Sequence, residues 1–146
     1  MKHVIFTFTL AIAIAILLMI PGHISAADKY QKMINCDLHA GPCTQSLSET
    51  TVTLEVTPRP VKALQNLSFK VTLSGNQVIS TKAPYIDLGM PGMNMGPNRV
   101  QLKSAGGNSY AGQGVIVKCP SGRRTWQATV TIPGAGQTEF IFDVIY

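Results

Sequence analysis

Period-two alternation of apolar and polar residues, proline and glycine clusters at regular intervals, and almost no 3.6-residue periodicity predict an all-β fold. In a chain of 146 residues they point to an immunoglobulin-like antiparallel β-sandwich of about seven strands, with a small closed barrel as the alternative.

The sandwich is expected over residues 50–146, and two segments precede it. Lys2 and His3, an apolar run at residues 4–20, a Pro21-Gly22 break and the small residues Ser25-Ala26-Ala27 form the pattern of a secretory signal peptide over residues 1–27, cut before Asp28. The run also has the minimum length for an uncleaved N-terminal membrane anchor, so that alternative stays open. No second apolar run follows. The expected location is the periplasm or another exported space.

Residues 28–49 carry no strong periodic pattern and are expected to be an N-terminal extension with a cysteine loop. Three cysteines in an exported chain leave one over, because pairing consumes them in twos. Cys36 and Cys43 are the favoured disulfide, since His39-Ala40-Gly41-Pro42 between them contains a Gly-Pro turn. Cys119 is then the unpaired thiol, although sequence also permits its pairing with either of the others.

The strands follow in order. "TVTLEVTP" places Val52, Leu54 and Val56 on one face, and "LSFKVTLSG" does the same with Leu67, Phe69, Val71 and Leu73. "YIDLGM", "NRVQLKS" (Val100 and Leu102 inward) and "YAGQGVIVKC" are the next three. "TWQATVTIP" alternates Trp126, Ala128, Val130 and Ile132 with polar residues, and "TEFIFDVIY" closes the chain. Trp126 is read as a core residue, because large aromatics dominate cores. Turns are marked by Pro58-Arg59-Pro60, Ser74-Gly75-Asn76, Pro91-Gly92, Gly106-Gly107-Asn108, Pro120-Ser121-Gly122 and Pro133-Gly134-Ala135-Gly136.

The formal net charge is +5, but the lysines and arginines are scattered without a stripe, which argues against nucleic-acid binding. Catalysis has no constellation either: the carboxylates are dispersed, and His39 has no flanking signature of a triad. The chain is therefore read as a non-enzyme.

Chemistry concentrates in "GMPGMNMGPNR", where Met90, Met93 and Met95 fall within six residues. Met90-Pro91-Gly92-Met93 has the composition of a type II turn, proline fixing φ and glycine supplying the positive φ. Such a turn folds Met90 back toward Met93, and alternation places Met95 on the same side as Met93. Thioethers are neutral and polarizable, so they suit Cu(I) rather than hard cations, and unlike thiols they are not lost to disulfides in an oxidising space. The alternatives are irregular core filling and an adaptable contact surface. A second constellation, Cys36, His39 and Cys43 with Cys119 as a fourth ligand, would suit zinc less well than the disulfide suits an exported protein.

The stretch at residues 84–130 resembles the small exported domains of the YtkA-like and FixH-like group. The resemblance is carried by the methionine-rich turn, by Tyr110-Ala111-Gly112, and by Ser121-Gly122 leading to Trp126; "TPRPVKALQNLSFKVTLSG" extends it over residues 50–146. It implies an immunoglobulin-like sandwich outside the cytoplasmic membrane with a role in copper handling, and a copper-containing envelope enzyme or other envelope protein as partner. Two features depart from the group: Val117-Lys118-Cys119 stands where members carry a further methionine or histidine, and Arg123-Arg124 is inserted before the tryptophan. These departures leave two alternatives: Cys119 replaces the missing ligand, or the second half of the site is absent. The expected function is thus Cu(I) binding through Met90, Met93 and Met95, with Cys119, for delivery, storage or tolerance. The alternative is a non-catalytic interaction module of an envelope assembly.

Overall fold

A computed structural model describes residues 26–31, 33–75 and 82–146. The expected signal peptide lies outside the described residues except for Ala26 and Ala27, which open a short helix, α1 (Ala26–Gln31). Among the described residues no helix is long and apolar enough to cross a membrane.

Among the described residues nine strands follow: β1 (Cys43–Leu47), β2 (Thr50–Thr57), β3 (Asn66–Gly75), β4 (Tyr85–Gly89), β5 (Arg99–Gln101), β6 (Lys103–Gly106), β7 (Ser109–Val115), β8 (Thr125–Ile132) and β9 (Gly136–Asp143). They form two antiparallel sheets, ordered β1-β2-β3-β7-β6 and β5-β4-β8-β9. The alternation read from the sequence becomes burial: Val52, Leu54 and Val56 of β2, Phe69 and Val71 of β3, and Trp126, Ala128 and Val130 of β8 are all fully buried between the sheets.

Three elements differ from the sequence reading. Residues 43–47, in the segment read as patternless, form edge strand β1, which pairs with β2 from Cys43 opposite Leu54 to Leu47 opposite Thr50. Its half-buried and exposed residues alternate without a large apolar face, so hydrophobic periodicity could not reveal it. "NRVQLKS" is two strands rather than one. β5 pairs with β4 in one sheet and β6 with β7 in the other, so the chain changes sheets at Leu102. Val100 and Leu102 are both buried, which is what a single strand would also predict. Finally, β7 ends at Val115 and β9 at Asp143; the residues beyond them form loops at one end of the sandwich.

β7 passes close under the crossing. A Cβ on Gly112 would collide with the Gln101 carbonyl oxygen, and one on Gly114 would come within 2.5 Å of Val100 Cγ2. The glycines of "YAGQGV" therefore let the two sheets approach where the chain passes between them.

The Cys36–Cys43 disulfide forms, with its Cα atoms 5.7 Å apart, and Cys119 is the free, buried thiol. Cys36 is itself buried, and the segment before it is stitched to β9 by Asn35 and Cys36 amides donating to the Ile141 carbonyl. The bridge thus ties the start of β1 in one sheet to the edge of the other.

Candidate functional site

The methionine segment connects β4 to β5 at the end of the sandwich where β8 begins. Its turn has the geometry that Pro91-Gly92 demands: Gly92 has φ +69°, and the Met93 amide donates to the Met90 carbonyl at 3.1 Å. Met90 and Met93 form an isolated antiparallel bridge, a register that puts facing side chains on one side of the ribbon. Gly92 is doubly constrained, because a Cβ there would lie 2.8 Å from the Tyr30 hydroxyl.

The loop is held at both ends. Arg123 Nη2 donates to the Pro91 carbonyl at 2.6 Å while its guanidinium stacks 4.0 Å from the centre of the Tyr30 ring. On the return side the Leu88 amide donates to the Asn98 carbonyl at 2.8 Å, and Asn98 Nδ2 donates to the Val115 carbonyl. A turn pinned in this way presents its side chains at a defined place.

Between loop and sheet lies a cleft of about 400 Å³ lined by Met90, Met93 and Met95, with Asp87, Arg99 and Gln127 among its polar residues. The three methionines occupy it at different depths. Met90 is buried and belongs to the core, Met95 is half-buried against that core, and Met93 is exposed. The core-filling and soft-donor readings therefore divide by residue: Met90 serves the core from the floor of the cleft, and Met93 stands at its mouth.

Asp87 and Arg99, opposite one another on β4 and β5, make a two-pronged ion pair of 2.8 and 3.1 Å on the cleft wall. The hydrogen bonds that Arg99 donates to Asp87 raise the Arg99 pKa above its already high value, so the guanidinium stays charged. It also lies 4.1 Å from the centre of the Tyr85 ring. This pair cannot be found by motif reading, since twelve residues separate its members and only the register joins them.

Cys119 is not brought to this cleft. Its Sγ lies 3.0 Å from Ser121 Oγ, and its amide donates to the Tyr146 hydroxyl at 3.1 Å. The same hydroxyl accepts from Trp126 Nε1 at 3.1 Å and donates to the Arg123 carbonyl. Hydrogen bonds from the Ser121 hydroxyl first, and then from the Ser121 and Arg123 backbone, hold the Cys119 thiol below its ordinary pKa against the opposing effect of burial.

The alternative constellation does not assemble as a thiolate site. Cys36 and Cys43 are bonded to each other, and His39 Nδ1 accepts the Val61 amide at 3.1 Å. Among the described residues there is no group of three or more His, Cys, Asp or Glu placed to hold a metal ion. The soft donors that line one cleft are the thioethers of Met90, Met93 and Met95.

Fold and cleft together define a class: a small all-β sandwich with a methionine-lined cleft at one end. No family model matches the chain, and no curated protein or solved structure is significantly similar to it.

Proposed function

We propose that the protein is an exported Cu(I)-binding domain whose soft donors are Met90, Met93 and Met95. The observation that carries this reading is the one cleft lined by all three residues, with Met90 and Met93 set opposite each other by a hydrogen-bonded turn. Thioether donors match the low charge and polarizability of Cu(I) and need no deprotonation. The exposed position of Met93 leaves one donor able to meet an incoming ion, and the nearby Asp87–Arg99 pair leaves the wall close to neutral. In this reading Cys119, which does not line the cleft, takes no part, and the methionine turn is the element that carries the copper-handling role implied by the resemblance to YtkA-like and FixH-like domains.

X-ray absorption at the copper edge of the Cu(I)-loaded protein tests the assignment. The expected first shell is sulfur-rich, is unchanged in Cys119→Ser, and loses its sulfur when Met90, Met93 and Met95 are replaced by leucine. A shell of nitrogen and oxygen in the unmodified protein contradicts it. The exposed Met93 also suits an apolar contact with an envelope partner, a role that leucine retains and that needs no metal.

A further inference from the structure

Among the described residues, the large apolar side chains left exposed are Met33, Leu64, Met93, Val117 and Ile145. They come from five separate segments, yet hydrogen bonds gather them at one end of the sandwich. The Leu64 amide donates to the Ile116 carbonyl at 2.8 Å, and the Ala63 amide to the Ile145 carbonyl at 2.9 Å, which makes Leu64, Val117 and Ile145 neighbours. Arg123 joins the Met93 turn to Tyr30, and the Met33 amide donates to the Tyr30 carbonyl. At the opposite end the described turns expose Ser48, Asn108 and Ala135 instead.

Leu64 is the most telling of these. It is 71% exposed and has φ +58°, a left-handed conformation that is unfavourable for a side-chain-bearing residue. Glycine or asparagine would make that turn more easily, and the domain's core gains nothing from a leucine pointing outward. Lys62 and Lys118, both exposed, flank Leu64 and Val117 in the chain. Of the nearby carboxylates, Glu55 and Asp143 are each within ion-pair distance of an arginine, Arg59 and Arg124, while exposed Asp37 caps its own turn by accepting from the His39 and Ala40 amides. The surface is therefore a set of protruding apolar tips with a lysine rim. Protein interfaces are depleted in lysine, whereas apolar tips among lysines are what an anionic bilayer surface attracts.

We propose that this end of the sandwich docks on an anionic membrane surface, with Leu64, Val117 and Ile145 entering the headgroup boundary and Lys62 and Lys118 meeting lipid phosphates. The docking is independent of metal binding. It is tested on the full chain carrying Leu64→Trp, mixed with vesicles of phosphatidylcholine with or without phosphatidylglycerol. The native Trp126 is fully buried and gives a constant background. The expected result is a blue-shifted indole emission at position 64, quenched by brominated acyl chains, on phosphatidylglycerol vesicles only, with Asn108→Trp at the far end unaffected. Adding Lys62→Gln and Lys118→Gln lowers the partition about fivefold per lysine. Val117→Trp reports on the same surface should Leu64→Trp fail to fold. A solvent-like indole at both positions 64 and 117 on vesicle-bound protein, an equal response at 108, or indifference to phosphatidylglycerol overturns the proposal. So does a shift produced by lipid-free envelope protein and not by vesicles, which assigns the surface to a protein partner.

Discussion

The Tyr146 hydroxyl holds three separate segments of the domain together. It accepts from the Trp126 indole and the Cys119 amide and donates to the Arg123 carbonyl, tying the C-terminus to the loop that braces the methionine turn. Tyr146→Phe keeps the ring and leaves two donors without an acceptor; each such loss costs about 1–3 kcal/mol, so a total of about 3 kcal/mol is expected. Denaturant unfolding checks this: the midpoint falls while the m-value holds. Ser121→Ala removes the principal hydrogen bond that favours the Cys119 thiolate. The Cys119 pKa then rises, as followed by ultraviolet thiolate absorbance. Because the folded-state pKa lies below the ordinary value of 9.0, ionisation of Cys119 stabilises the fold fully above that value. The increment is lost as pH falls through the lowered pKa, and Ser121→Ala reduces it. Trp126 was legible from sequence as core by its place in an alternating strand, whereas its partner Tyr146 was not, because nothing local pairs residues 20 apart.

At the scale of elements, alternation was a faithful guide where a strand has one fully buried face, as in β2, β3 and β8. It failed where that contrast is absent. β1 is an edge strand of half-buried and exposed residues, and β6 is exposed at every position. The change of sheet at Leu102 was invisible for a different reason: Val100 and Leu102 point into the same core from two sheets, so period two survives the crossing. The signal that could have exposed it is the pair of glycines in β7, whose lack of a side chain makes room for the crossing chain. Gly112→Ala is accordingly expected to destabilise by about 3 kcal/mol, the upper part of the overpacking range, because the obstructing atom is a backbone carbonyl that cannot rotate away. Gly107→Ala, with open space around its Cβ, meets only the penalty of its φ of +55°. A thermal melt of the two variants separates the effects; equal melting temperatures would contradict the crossing argument.

For the whole molecule, the sandwich gathers its irregular segments at one end. The methionine turn, the Cys119 loop, the C-terminus and α1 meet there through Arg123, Tyr30 and Tyr146. The turn itself was readable from Met-Pro-Gly-Met, since proline and glycine specify its dihedrals locally. The cleft was not, because its polar wall comes from β4, β5 and β8, whose registers only folding reveals. Cys119, which the family resemblance had suggested as a further ligand, does not line that cleft. Leucine conserves methionine's volume, so replacing all three methionines is expected to cost less than about 1.5 kcal/mol per site and to leave the fold intact. The most direct measurement is a Cu(I) competition titration of the protein beside its Met90→Leu, Met93→Leu, Met95→Leu variant, both folded by circular dichroism. The account predicts that the unmodified protein withdraws one Cu(I) from the competing chelator and the variant withdraws none; equal Cu(I) affinity in the two would contradict it.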